Sequence, residues 1–476
     1  MSIWYDVTDL RAWDRPYLTG IQRTTVGILR GLLEHGVEVR LAAFDSRRRC
    51  FVAAGPDSLP PVARDLLYSD AAPAADSETG AAPPVRKRTG RRIREAIFGT
   101  RPAADELRVA FRTWRKATGE LAHRVRRWLR TRRSKRSPPP LPAPWYTGLE
   151  AGSTRPQPTA TPDTAGPFAA GDTLLSMGGT WPVSGHAEAV AATRTRGVTI
   201  VRMIYDLIPA IKPQWVSPTV CREFTHWTRS ILENSDHVLT ISEFSKREIL
   251  RYCDECGFVA PPLSVVRLGD VIDAVHATEP PSLPRFVPSR PFFVCVSTLD
   301  VRKNHRLLYD AWSQLAAADP YTCPDLVCIG TKHLLVDDLL HEIRHDRAVN
   351  GRIHLLHDVS DRELAWYYAA CTATIYPSRY EGWGLPVAES LGHGRLCLAS
   401  NATSIPEIDD ELPVFFDPLD AHELAGLVRR ALDEPDWVSD REEALRTSFV
   451  PTPWSHTAGQ VLAAVWPTTD SIRQAA

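Results

Sequence analysis

Two short stretches of the 476-residue chain carry residue types suited to holding an anion and a sugar. The first is Val296-Ser-Thr-Leu-Asp-Val-Arg-Lys-Asn-His305, in which Arg302 and Lys303 stand where an apolar run leads into a helix-like segment. A helix start offers free N–H groups and the positive end of a dipole, and two fixed cations add the charge that suits a diphosphate. The second is Tyr376-Pro-Ser-Arg-Tyr-Glu381-Gly-Trp-Gly-Leu-Pro-Val-Ala-Glu389. Gly382 and Gly384 let the backbone approach a ligand, and Pro386 suits a first helical turn. Glu381 and Glu389 are then placed to accept hydrogen bonds from sugar hydroxyls. One acid near a helix start is explained by the macrodipole alone. Two of them, flanking a glycine loop downstream of a basic helix start, favour a ligand site.

These loops need a scaffold, and the apolar runs supply one. Ser2–Val7, Val37–Phe44, Thr173–Met177, Val198–Tyr205, His237–Ile241 and Leu263–Leu268 form a first series. Phe292–Val296, Leu326–Ile329, Ile353–Leu356, Ala373–Tyr376, Leu396–Ala399 and Val414–Phe416 form a second. They lack polar alternation, as strands buried on both faces of a parallel sheet do. Helix-like segments lie between them; Ser217-Pro218 opens one that runs to about Asn234, and Ser242 opens another. Two blocks of alternating β and α predict two Rossmann-like, doubly wound α/β domains, whose ligands bind beyond the carboxyl ends of the strands. The predicted N-terminal domain is 1–285 and the C-terminal domain 286–440. A last segment, 441–476, is expected to cross back onto the first domain.

Residues 45–171 break the pattern and read as an insertion. The formal net charge of the chain is −1, yet Arg86–Arg136 holds 19 Lys and Arg against four acids, leaving the remainder acidic. Residues 102–133 read as a basic amphipathic helix, with Leu107, Phe111, Trp114, Leu121, Val125, Trp128 and Leu129 on one side. Residues 137–167 contain nine prolines and read as a linker. The N-terminus has no secretory pattern, no apolar run is long enough to span a bilayer, and nine scattered cysteines suit a reducing compartment. Cys253 and Cys256 read as two ordinary thiols near a helix end. A cytoplasmic chain is expected, with the basic helix as a contact to the inner face of the membrane.

The Arg-Lys-Asn-His element, the Glu-x7-Glu element with Glu381-Gly-Trp-Gly-Leu-Pro386, and Ser404-Ile-Pro-Glu407 resemble the family 4 (group 1) glycosyltransferases. Ile204-Tyr-Asp-Leu-Ile-Pro209, Leu239–Lys246 and Thr19-Gly-Ile-Gln-Arg23 extend the resemblance. It implies the GT-B architecture, two Rossmann-like domains facing a cleft, and a retaining hexosyl transfer that needs no cofactor and no metal. The donor would be a nucleoside-diphosphate sugar, mannose-like in keeping with the family. The acceptor would be a saccharide or lipid-linked saccharide in cell-surface polysaccharide synthesis. By the same resemblance, Arg302 and Lys303 hold the donor diphosphate. Glu381, Trp383, Gly384 and Leu385 contact the donor sugar and phosphate, Glu389 takes the ribose hydroxyls, and Gly20 lets the first loop close over the diphosphate, with Arg23 assisting. Tyr205 stands where many members carry His, and either Tyr205 or the adjacent Asp206 takes the polar role facing the reacting sugar. Thr298 supplies a hydroxyl where the family often has Arg.

Gly178-Gly-Thr-Trp181 follows the third apolar run, so Trp181 offers a flat face for stacking an acceptor sugar, or serves as a packed core ring. His186 is reachable from the same loop. Other readings remain open: another sugar-nucleotide enzyme on the same scaffold, a phosphorylase or epimerase, or a binding module acting through the basic helix. That helix suits an anionic membrane or a protein partner. Nucleic acid is the weakest option, since no nucleic-acid-binding motif accompanies the arginines.

Overall fold

The protein is described by a computed structural model over residues 2–13, 18–68, 166–270 and 284–466. The basic stretch 102–133, and all of 137–167 up to residue 165, lie outside the described residues.

Two parallel-sheet α/β domains result. The N-terminal sheet contains β1 (Ile3–Asp6), β2 (Val39–Asp45), β3 (Cys50–Ala54), β4 (Thr173–Ser176), β5 (Thr199–Met203), β6 (His237–Thr240) and β7 (Leu263–Val265), in the order β3-β2-β1-β4-β5-β6-β7. The C-terminal sheet contains β8 (Phe292–Val296), β9 (Asp325–Ile329), β10 (Ile353–Leu356), β11 (Ala373–Tyr376), β12 (Cys397–Ser400) and β13 (Val414–Phe416), in the order β10-β9-β8-β11-β12-β13. All pairings are parallel except β2 with β3. The strand order reverses on either side of β1 and of β8, so the loops after β1, β4, β8 and β11 open a crevice at the carboxyl ends.

Each predicted run forms a strand, but the insertion begins later than 45. Cys50–Ala54 pairs antiparallel with β2, from Leu41 opposite Ala54 to Asp45 opposite Cys50. The Asp45 carboxylate accepts from the Arg47 and Arg48 amides, folding the arginine run into the connecting turn. Phe51 is 2% exposed and packs edge-on against Phe44 and Phe168. The helix Pro61–Tyr68 follows, with Ala63 buried. An arginine turn in front of five apolar residues disguised this edge strand as part of a charged insertion.

The helix predicted after Ser217 spans Pro218–Asn234, with the Ser217 hydroxyl accepting from the Val220 amide. The one after Ser242 spans Glu243–Cys256 and stops at Gly257. All nine cysteines are free of disulfides; Cys253 is buried and Cys256 exposed. The helix Trp454–Val465 lies across the helix Gly20–Glu34 of the first domain. Glycine permits that approach: a Cβ on Gly27 would stand 2.2 Å from a Trp454 ring atom, and one on Gly31 2.4 Å from the Trp454 carbonyl. Mid-helix glycine costs about 1 kcal/mol of helix stability, offset here by the crossing it allows. A continuous apolar core joins the domains, with Leu29 and Ile28 on one side and Val387, Leu391 and Ile405 on the other.

Candidate active site

Arg302 and Lys303 lie beyond β8 in a tight 3-10 turn, Val301–Lys303, one residue before the helix His305–Ala318. Asp300 builds the turn by accepting from the Arg302 amide at 2.9 Å. Asn304 closes it at φ +61°, its side-chain amide donating to the carbonyls of Pro377 and Pro418. Both cations therefore point back towards β11. Arg302 donates to Glu381 Oε2 at 2.6 Å and to the Tyr380 carbonyl at 2.8 Å. Lys303 donates to Glu381 Oε1 at 2.6 Å and to the Tyr376 hydroxyl at 2.8 Å. Ser378 donates to the same carboxylate, and the Glu381 amide donates to Thr403. Burial pushes the Glu381 carboxyl up, but Arg302 and Lys303 outweigh it and hold it at about 2. Burial lowers the Lys303 ammonium below its ordinary value, with Glu381 opposing and Arg302 adding to the shift. The site is thus a largely buried triad with two positive charges and one negative.

Gly382 lies close against the first domain, where an added Cβ would come within 2.6 Å of the Tyr205 carbonyl. Trp383 is buried, its carbonyl and that of Glu381 accepting from the Ser404 hydroxyl at 3.1 and 2.9 Å. Gly384 has φ +150° and turns the chain into the helix Leu385–Gly392, with Pro386 in its first turn. Glu389 sits further along that helix and is 6% exposed. Its two oxygens accept from Arg23 of the first domain at 2.8 Å and from Tyr368 at 3.0 Å. Arg23 also reaches Asp361 at 3.2 Å. Gly20 is the first residue of its helix, and an added Cβ would meet only Leu385, at 3.8 Å. Thr298 is exposed in the loop after β8.

Tyr205 and Asp206 both line the cavity between the domains, and Tyr205 donates its hydroxyl to the Met177 carbonyl at 2.6 Å. One expectation on the N-terminal side is corrected. His186 is fully buried, with Nε2 2.7 Å from Asp6 Oδ2 and its ring edge-on to Phe44 and Phe51; it does not reach the cleft. Its side chain turns inward because Asp6, at the end of β1, needs a partner. Burial raises the Asp6 carboxyl, and His186, Thr8 and Ser176 together pull it below its usual range. Asp206 accepts from the Ile208 amide at 2.9 Å. Burial raises its carboxyl, and the Arg302 charge opposes that rise.

Trp181 forms edge-on pairs with Phe224 at 5.6 Å and with Trp227 at 5.6 Å. Together with Trp215 these rings wall a cavity of about 250 Å³ whose polar end carries Asp206, Asp300, Arg302 and His333. Trp215, Phe224 and Trp227 gave no motif in the sequence, and Asp300, inside the first motif, was given no role there; it positions Arg302 and binds His333 Nδ1 at 2.8 Å. Asp9, buried against Gly178, was also missed; burial and the Asp6 charge push its carboxyl up to about 7.

Residues 290–434 match the family described as Glycosyl transferases group 1. The O-antigen chain mannosyltransferase B of Escherichia coli is 28% identical over 207 residues, which are 43% of this chain and 54% of that protein. The serotype-specific mannosyltransferase WbdA of Escherichia coli is 27% identical over 237 residues, 48% of this chain and 28% of that one. The chain thus spans about half, or less, of the length of these relatives. The apo structure of OtsA superposes with a TM-score of 0.50 at 12% identity, over 63% of this chain and 73% of that one. The shared fold is GT-B.

Proposed function

From the match of residues 290–434 to the family described as Glycosyl transferases group 1, we propose that the protein transfers a hexose from a nucleoside-diphosphate sugar to a saccharide acceptor. The observation that carries this reading is the Arg302–Glu381–Lys303 triad at the mouth of the cleft. A departing diphosphate gathers negative charge as the glycosidic bond breaks, and fixed, water-shielded cations stabilise that charge best. Arg302 and Lys303 are such cations. Glu381 stays ionised and fixes their positions, so little reorganisation is needed when the donor arrives. Glu389 would receive the ribose hydroxyls by exchanging its bond to Arg23. Trp383, Gly384 and Leu385 bring backbone against the donor sugar and phosphate, and Thr298 adds a hydroxyl beside them. Gly20 and Arg23 face this site from the other domain.

Asp206 stands across from Arg302 and takes a hydrogen bond from a reacting hydroxyl. Transfer with retention on one face of the sugar asks for positioning and leaving-group stabilisation rather than a covalent intermediate. The two cations can supply that stabilisation, so no metal or cofactor is part of the proposal. The mannosyltransferase relatives favour a mannose donor, and an O-antigen-like or lipid-linked saccharide acceptor. A contact of residues 102–133 with an anionic membrane on the cytoplasmic face rests on the basic amphipathic pattern alone.

Incubation with GDP-mannose and a panel of other nucleotide sugars plus a saccharide acceptor, with and without EDTA, tests the proposal. The expected product keeps the donor's anomeric configuration, by NMR, at a rate that EDTA leaves unchanged. Absence of sugar transfer and of nucleotide release from every donor would contradict it.

A further inference from the structure

Beside the cavity that ends at Asp206 lies a second one of about 230 Å³. The two share Trp181 and Trp227, whose rings meet edge-on and separate them. The outer chamber lies between the 180–185 loop with the first turn of the helix His186–Arg194 and the helix Pro218–Asn234. Its character differs from that of the inner one. The inner chamber is walled by aromatic and aliphatic side chains and is polar only at its reacting end. The outer chamber carries Glu188, Glu223 and His226, all exposed and making no hydrogen bond or ion pair among the described residues. The Trp227 indole N–H is used by Thr180 at 2.9 Å, while Trp181 is only partly buried and its ring faces both chambers.

We propose that these are consecutive saccharide subsites, and that the acceptor is a neutral chain of at least two sugar residues. This rests on the transfer reading above and extends it. A pyranose has an apolar face of C–H bonds that packs on an aromatic ring and an equatorial rim of hydroxyls. In the inner chamber the terminal residue packs on the aromatic wall and presents one hydroxyl to Asp206. Its neighbour passes the edge of Trp181 into the outer chamber, where two carboxylates and an imidazole take the hydroxyls. Hydrogen bonds to charged groups are the stronger kind. The two carboxylates also choose against an anion at that position. A phosphate or a uronic acid attached directly to the terminal sugar would meet Glu188 and Glu223, a like-charge encounter. Elongation of an existing neutral chain therefore fits this wall, and addition to a single sugar on a lipid diphosphate does not.

The test is a binding titration followed by tryptophan fluorescence. The probes are methyl α-mannoside, the methyl glycosides of neutral α-linked mannobioses, and a disaccharide whose second residue is glucuronic acid. The wild type is expected to bind at least one neutral disaccharide about tenfold or more tightly than the monosaccharide, the size of one charge-assisted hydrogen bond. Glu223→Gln with His226→Ala should cut that ratio by about tenfold. The acidic disaccharide should bind more weakly than its neutral counterpart, and Glu188→Gln with Glu223→Gln should narrow that gap. Equal binding of mono- and disaccharides, including no binding of either, or a ratio unchanged in the variants, overturns the proposal. Nucleotide-sugar binding is read in the same samples. If it is present without the disaccharide preference, only the subsite proposal fails. If it is absent while the preference persists, the transfer reading fails and the chambers remain saccharide sites.

Discussion

On the C-terminal side of the cleft, Arg302, Lys303 and Glu381 are locked into one largely buried ion cluster by two loops of adjoining strands. On the N-terminal side, Trp181 meets Phe224 and Trp227 of one helix through ring edges, and Trp215 lines the same cavity, with Asp206 the charged group of that domain at its end. The first wall is electrostatic and fixed by complementary charge. The second is shaped by packing and is open to exchange of one ring for another. A charged leaving group needs the first kind of wall, and a neutral sugar with apolar faces needs the second. Substitutions should therefore act differently on the two sides.

The largest contrast is expected within the triad. Glu381→Ala leaves two mostly buried cations facing each other, so it should destabilise the protein by roughly 3–5 kcal/mol. It should also abolish most of the transfer. Lys303→Ala leaves Glu381 still paired with Arg302, so it should unfold at a temperature closer to the wild type while losing about 100- to 1,000-fold in turnover. Thermal unfolding beside steady-state kinetics separates the two; equal melting temperatures would break the claim that Glu381 is the keystone of this wall.

The same wall should be sensitive to acid. The folded Glu381 carboxyl binds its proton only near pH 2, against an ordinary value of 4.5. Its contribution is whole above pH 4.5 and declines as pH falls towards 2. The stability difference between wild type and Glu381→Gln in denaturant titrations should shrink over that window, and a constant difference would speak against the pairing.

A smaller effect is expected where the domains are tied together. Both Glu407 oxygens accept from the Glu243 and Phe244 amides at 2.7 Å, so a residue of the second domain caps a helix of the first. Glu407→Ala should cost about 1 kcal/mol, as loss of a helix cap does, read as a drop in unfolding midpoint.

A small effect on turnover is expected on the packed side. Tyr205→Phe removes one bond to the Met177 carbonyl and should cost about 1 kcal/mol while changing turnover by less than about threefold. A loss of orders of magnitude would place Tyr205 at the reacting centre. Asp9→Asn has the opposite pH sense to Glu381. Because the Asp9 carboxyl is raised from 3.8 to about 7, its ionisation increasingly disfavours the fold as pH rises through that range. The variant should gain on the wild type in melting temperature between pH 4 and pH 8, and a gain independent of pH would remove Asp9's burial as the cause.

The two walls also differ in how far they could be read from sequence. The strands were legible because sheets covered on both faces leave continuous apolar runs, and Arg302, Lys303, Glu381 and Glu389 were legible because each pair sits within one loop and helix start. The strand Cys50–Ala54 was hidden by the arginine turn before it. The aromatic wall had no spacing to reveal it, since Trp181, Trp215 and the Phe224–Trp227 pair are brought together only by the packing of their segments. Side-chain direction was equally silent. Tyr205 and His186 occupy suitable positions along the chain, yet their polar atoms turn towards Met177 and Asp6, because a buried carbonyl and a buried carboxylate there require partners.

The central claim is that Arg302 and Lys303 form the seat of a nucleoside diphosphate. Calorimetric titration of GDP and UDP into wild type and Lys303→Ala tests it most directly. At least one diphosphate should bind the wild type and bind the variant tenfold or more weakly, the size of one lost charge-assisted contact, while its parent nucleoside is affected little. Equal affinity of the diphosphate for both proteins, or no binding of either diphosphate to the wild type, would contradict the account.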